Sequence, residues 1–235
     1  MVNINGATAL VTGGQRGLGK AFVRELLDRG AAGVYATARD PRPSEDPRIV
    51  PVALDVTDQA SVDALADLAG DVSIVINNAG VGGSGPLLRS DIDDIRTVFE
   101  TNLFGAIRVA QAFAPALARN GGGALVDIHS ALTWIAGAGA YGASKAAFWS
   151  ATNSLRLELA PQGTLVLGVH LGYADTDLTS AVTAPKLDPH DVARAVIDGV
   201  RQDLTEVLVD DASRHFKKAV AGPVEALSLT AVAAR

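Results

Sequence analysis

Tyr141 and Lys145 stand four residues apart in the alanine-rich stretch AYGASKAAFW. On a helix that spacing puts a phenol and an ammonium side by side on one face. A phenol with the ordinary pKa near 10 is a poor acid–base group at neutral pH. Bringing it to about 7 takes about 3 units, or roughly 4 kcal/mol of preference for the phenolate. An ammonium within about 6 Å supplies part of that. The pair therefore reads as a proton donor and acceptor with its activating cation. The plainer alternative is a packed tyrosine beside a lysine whose stem covers apolar surface while its head reaches water.

A second chemical feature lies near the start of the chain. TGGQRGLG, residues 12–19, follows an apolar run and opens a helical pattern. Gly13, Gly17 and Gly19 remove side chains where a backbone must turn sharply and approach a ligand, with Gln15 and Leu18 counted in the same loop. The helix beginning near Gly17 aims free N–H groups and its positive dipole end at an anion, and a pyrophosphate is the expected guest. A glycine-rich turn that binds nothing is the alternative. The end of the next strand, VYATARD, selects the dinucleotide. Where NAD sites place an acid for the ribose 2′-OH, this chain has Ala38 followed by Arg39, and Arg16 lies in the glycine loop. Two guanidiniums converging on one spot suit a 2′-phosphate, so the expected cofactor is NADP, with NADPH preferred over NADH. Asp40, one position later, could still reach a ribose, and two solvated arginines are the bland reading.

These groups need elements to hold them. Short apolar runs alternate with helical patterns: ATALVT, a helix over 17–29, VYATA, RIVPVAL, a helix over 58–69, VSIVIN, a long helix over 92–118, ALVDI, the helix opening at Ala140, LVLGVH, a helix over 190–202, and EVLVDD with a helical tail. Strands apolar on both faces and joined by helices predict an α/β fold, a Rossmann-type doubly wound parallel sheet with helices on both sides. ARDPRPSEDPR, residues 38–48, reads as a surface loop, and the Asn120–Gly121 pair as a helix C-cap. With 235 residues and no linker, the chain reads as one catalytic domain over 1–235.

Composition removes other chemistries. With no cysteine, thiol catalysis and cysteine-held zinc are excluded, and four scattered histidines make no metal site, so none is expected. A net charge of −6 with no basic block argues against nucleic acid or an anionic membrane as partner. Neither a leader peptide nor an apolar run of membrane-spanning length is seen, which predicts a soluble cytoplasmic protein. Asp127, His129 and Ser130 invite a hydrolase reading. Adjacent strand residues face opposite ways, however, so His129 is a poor base for Ser130, and no G-x-S-x-G elbow surrounds that serine.

Taken in order, the motifs resemble the classical short-chain dehydrogenases/reductases over almost the whole chain. TGGQRGLG is similar to that family's TGxxxGxG loop. Asp55–Val56 resembles the pair that contacts adenine, and NNAG, with Asn78, Ala79 and Gly80, the motif closing the adenosine side. Asn102, Ser130, Tyr141 and Lys145 resemble its four catalytic positions. In HLGYADTDL, Gly172 and Thr176 fit the nicotinamide-side segment, while Leu171 replaces the usual proline and Ala174 the usual Val or Ile. The resemblance implies that Tyr141 gives a proton to a carbonyl oxygen while NADPH delivers hydride. It further implies that Ser130 orients that oxygen, that Lys145 also holds the nicotinamide ribose, and that Asn102 holds a water leading to solvent. The positive ring of an oxidised nicotinamide would add to the stabilisation of the phenolate.

Leu132, Trp134, Val81, Tyr173 and Leu178 are candidate pocket walls. They point to an apolar ketone, aldehyde or secondary alcohol, with a short lid over 176–191. Phe148 and Trp149 would either pack a homodimer or face the sheet. The sequence thus leaves two functions: an NADP(H)-dependent carbonyl reductase or alcohol dehydrogenase, or a non-catalytic NADP(H)-binding sensor. An intact acid–base set favours the first.

Overall fold

The computed structural model describes residues 1–83 and 85–228. Seven parallel strands form one sheet in the order β3-β2-β1-β4-β5-β6-β7. In chain order they are β1 Thr8–Val11, β2 Gly33–Ala38, β3 Ile49–Ala53, β4 Ile74–Asn77, β5 Ala124–Ile128, β6 Leu165–His170 and β7 Glu206–Leu208. The helices are α1 Gly17–Asp28, α2 Gln59–Leu68, α3 Ile92–Phe99, α4 Gly105–Arg119, α5 Gly139–Leu159, α6 Pro189–Arg201 and α7 Asp211–Ala219.

Successive strand residues point to opposite faces, and the sequence uses both. Val11, Ile76, Val126 and Leu167 pack under α1 and α6 with Phe22, Leu26, Val196 and Ile197. Their neighbours Leu10, Val75, Leu125 and Val166 pack on the other face with Val62 and Leu65 of α2, Phe113 of α4 and Leu159 of α5. This is the doubly wound architecture that the apolar strands predict. Pro51 lies in β3, at the sheet's edge, where a missing N–H costs no central ladder bond. Helix starts follow their caps: Asp58 accepts from the Ala60 amide at 3.1 Å, and Asp188 from the His190 amide at 2.8 Å, ahead of Pro189.

Two expectations change. The helix expected unbroken over 92–118 is interrupted by a π-turn, Glu100–Phe104, between α3 and α4. The wide turn swings Asn102 into the interior and is spanned by an Arg108–Glu100 ion pair of 2.6 Å. The last strand is only Glu206–Leu208, because Asp210 already caps α7 through the Ser213 amide at 2.9 Å.

Candidate active site

The strand order reverses between β1 and β4, so their carboxyl ends open a crevice, the usual ligand site of such sheets. The glycine loop and NNAG face each other there. The Thr12 hydroxyl accepts from the amides of Asn78 and Ala79, both at 2.9 Å, and Asn78 Nδ2 donates to the Thr12 carbonyl at 2.9 Å. In the sequence Thr12 marks only the start of the TGGQRGLG motif. Its hydroxyl is the pin joining the two.

The loop fits a pyrophosphate. Gly13 and Gly17 take φ of +64° and +48°, the left-handed region that favours glycine. A Cβ on Gly19 would fall on the Gly13 carbonyl oxygen. No side chain caps α1 and no acid sits in its first turn, so its leading amides and positive end face an open cradle. Leu18, in the first turn of α1, packs against the core. Gln15 is otherwise engaged: its Nε2 donates to the Arg42 carbonyl and its Oε1 accepts from the Arg42 amide, both at 2.8 Å. That pair ties the loop after β2 to the glycine loop.

Arg39 and Asp40 are exposed beyond β2. The Arg16 side chain, 78% exposed, lies 3.9 Å from Asp177. Asp55 is held by Thr57, whose amide and hydroxyl donate at 2.9 and 2.7 Å; these bonds, with a smaller contribution from Arg39, keep its carboxyl below the usual range. Val56 is buried, and a Cβ on Gly105 would lie 2.7 Å from its Cγ2, so its side chain serves packing. On the far side of the crevice the Gly172 amide donates to Asp210 at 3.0 Å, and Thr176 sits over Gly17, 3.1 Å from the Cβ that residue lacks.

The four catalytic candidates converge from three elements. Helix α5 buries Ala140, Ser144, Lys145, Phe148 and Thr152 along one face. Lys145 is 5% exposed, and its Nζ donates to the Ile128 carbonyl at 2.8 Å and lies 5.9 Å from the Tyr141 ring centre. Ser130, just past β5, stands beside the Tyr141 phenol, its Oγ accepting from the Leu132 amide at 3.1 Å. Asn102 comes from the π-turn: Oδ1 accepts from the Val81 amide at 2.8 Å, while Nδ2 donates to the Val81 carbonyl at 3.0 Å and to Ser144 Oγ at 3.1 Å. It thereby locks the segment after NNAG to α5. Gly80 lies between, since a Cβ there would be 3.2 Å from Asn102 Oδ1 and 3.9 Å from Lys145 Nζ.

Electrostatics refine the expectation of an acidified phenol. Burial raises the Tyr141 pKa above 10, offset in part by Ser130 and reinforced by the nearby Tyr173. Burial likewise pushes Lys145 down to about 8, against the pull of Asp127. Tyr141 is thus held protonated at neutral pH, the form that donates. Lys145 alone does not bring it to neutrality.

Among the pocket candidates, Leu178 is 57% exposed and covers Gly82, 3.5 Å from the Cβ position of that glycine. Trp134 does not line the site. It is 7% exposed, stacked on His170 at 4.0 Å and edge-on to Trp149 at 5.9 Å, with Lys217 Nζ 5.1 Å from both indoles. Phe148 is buried against His129, 4.6 Å between rings, so it faces inward. Among the described residues no helix is long and apolar enough to cross a membrane, and no cluster of three or more His, Asp or Glu could hold a metal.

Comparison with known proteins agrees with this geometry. The family model described as short chain dehydrogenase matches residues 7–187. A ketoacyl reductase, HetN, of Nostoc sp. is 30% identical over 232 residues, covering 89% of this chain and 80% of its own. The 3-oxoacyl-[acyl-carrier-protein] reductase FabG of Vibrio harveyi is 30% identical over 220 residues, covering 83% and 90%. The crystal structure of a short chain dehydrogenase from Burkholderia cenocepacia in complex with NADP superposes with a TM-score of 0.90 at 36% identity, covering 96% of this chain and 97% of that one. With the motifs, the sheet order and the crevice in agreement, the chain belongs to the short-chain dehydrogenase family of oxidoreductases.

Proposed function

We propose that this protein is an NADP(H)-dependent oxidoreductase that interconverts a ketone or aldehyde with the corresponding alcohol. The observation that carries the reading is the meeting of Tyr141, Ser130, Lys145 and Asn102 at the mouth of a pyrophosphate-shaped crevice. Gly13, Gly17, Gly19 and the leading amides of α1 would hold the pyrophosphate, Arg16 and Arg39 the 2′-phosphate, and Lys145 the ribose hydroxyls. When bound, the nicotinamide supplies the hydride. The rest falls to the chain. Tyr141, kept neutral by its burial, donates its proton to the carbonyl oxygen as charge develops there, and Ser130 donates a hydrogen bond to the same oxygen. Lys145, opposite the forming phenolate, is the cation that stabilises it.

The preference for NADP rests on the two arginines and on the NADP held by the Burkholderia cenocepacia relative. An apolar substrate is supported by Leu178 over Gly82, Val81 beside Asn102 and Tyr173 near Tyr141, while Leu132 packs with Trp134, Ile135 and Phe216; a carbonyl substrate is supported by the ketoacyl reductases among the relatives. The test is a panel of carbonyls and alcohols followed by nicotinamide absorbance with each cofactor, on the wild type and on Tyr141→Phe. The variant should keep NADPH affinity and lose at least about 100-fold in turnover, the usual worth of a general acid. Turnover unchanged by the substitution removes the acid from the scheme. A wild type that binds NADPH but turns over nothing leaves the sensor reading.

A further inference from the structure

One buried charge has no place in the scheme above. Asp127 is the lone acid in the apolar strand β5 and is fully buried. Its carboxylate is nonetheless built into a site: Oδ2 accepts from Thr152 Oγ1 at 2.7 Å, and Oδ1 from Asn77 Nδ2 at 3.0 Å. Both donors come from elements that carry the crevice. Asn77 ends β4 immediately before Asn78, and Thr152 lies on α5 two turns beyond Lys145, on the same face. Lys145 hydrogen-bonds the carbonyl of Ile128, the residue next to Asp127. An uncompensated carboxylate at such depth is costly, and the buried cation beside it is Lys145, held at the carbonyl of the adjoining residue. The other cation felt by Asp127, Arg156, is committed elsewhere, to the carbonyls of Val166 at 3.1 Å and Thr205 at 3.0 Å and to Asn153.

We infer that Asp127 is a positioning residue for the reaction: a buried carboxylate, clamped by Thr152 and Asn77 behind β5, that keeps the Lys145 ammonium charged and directed at Tyr141. This rests on the acid–base reading of Tyr141 and Lys145. The groups facing Lys145 leave the task to Asp127. From just past β5 comes His129 and from β6 His170, both kept neutral by burial, the latter at about 3; from α5 itself come Tyr141, also neutral, and the aromatic face of Phe148 at 5.5 Å. Among the described residues facing Lys145, Asp127, pushed by burial up to about 6 and mostly ionised at neutral pH, supplies the negative charge. With Lys145 at about 8, the window between the two values is where both are charged.

The test reads the lysine directly, with neither cofactor nor substrate present. The chain has five lysines, so the Lys145 side-chain amine can be assigned in an isotope-labelled NMR titration by its loss in Lys145→Met. Asp127→Asn, nearly isosteric, should lower the Lys145 midpoint by about one unit or more. Thr152→Val should move it the same way by disfavouring the ionised carboxylate, and Thr152→Ser should restore it. The pH profile of kcat/KM should shift in the same order. A midpoint unmoved in Asp127→Asn, even if the variant melts earlier, overturns the inference and leaves a structural acid. Should Asp127→Asn not fold, the Thr152→Val and Thr152→Ser pair decides. Because the titration needs no turnover, it stands apart from the Tyr141→Phe result, which tests the catalytic reading alone.

Discussion

Replacing Gly19 by alanine sets two physical effects against each other. Gly19 is a buried residue in the first turn of α1. Were it only a helix residue, alanine would stabilise the fold by about 0.4–1 kcal/mol, by restricting the unfolded chain and favouring helix. In this structure the added Cβ falls on the Gly13 carbonyl oxygen and 2.8 Å from Asn78 Nδ2, the atom pinned to Thr12. The obstacle is backbone, so the glycine loop itself must move, and overpacking of that kind costs about 1–3 kcal/mol. The steric term wins, leaving a net loss of about 1–2 kcal/mol. For a chain of 235 residues this lowers Tm by about 2–8 °C. The displaced loop carries the amides meant for the pyrophosphate, so NADPH affinity should fall at least about tenfold, or 1.4 kcal/mol. Nicotinamide fluorescence gives the affinity and calorimetry the Tm. A variant that melts higher and binds NADPH as before would show that Gly19 is an ordinary helix position and that the cradle lies elsewhere.

Other perturbations address the remaining parts. Arg16→Ala combined with Arg39→Ala should raise the KM for NADPH at least about tenfold and leave that for NADH within about twofold; an equal response removes the 2′-phosphate argument. Acid stability follows from the histidines: His170, held by burial at about 3, and His129, held by burial well below its ordinary value, stay neutral when folded but take protons below about 6.5 when unfolded, so their contribution is present above that pH and fades as pH falls. Asp127, raised to about 6, opposes them with one proton held by the folded form. Near pH 5 the net of one proton predicts stability falling by about 1.4 kcal/mol per pH unit in denaturant titrations, and His170→Phe should flatten that slope.

Legibility in the sequence followed how local each cause is. Strands buried on both faces are nearly all apolar, so Ile74–Asn77 and Ala124–Ile128 announce themselves, and Gly13 and Gly17 mark backbone that only glycine adopts comfortably. The π-turn was not legible, because Glu100–Phe104 is as helical by propensity as its flanks, and the cause is Val81, distant in sequence, bonding to Asn102. Trp134 misled for the same reason. An indole beside Ser130 suggests a pocket wall, but His170, Trp149 and Lys217 turn it inward from three other elements. Asp127 did leave a signal: an acid within an otherwise apolar strand is an anomaly that asks for a partner.

The paired bonds between Gln15 and the main chain of Arg42 have an engineering consequence. They couple residues 13–19 to 39–42, so under the proposed function retuning discrimination at the ribose also perturbs the loop proposed to hold the phosphates. A graft that imports only an acidic residue after β2 from an NAD-using relative, and reshapes the backbone at position 42, would unlatch the cradle it depends on. Exchanging coenzyme preference in this scaffold means transplanting both segments with their amide clasp intact.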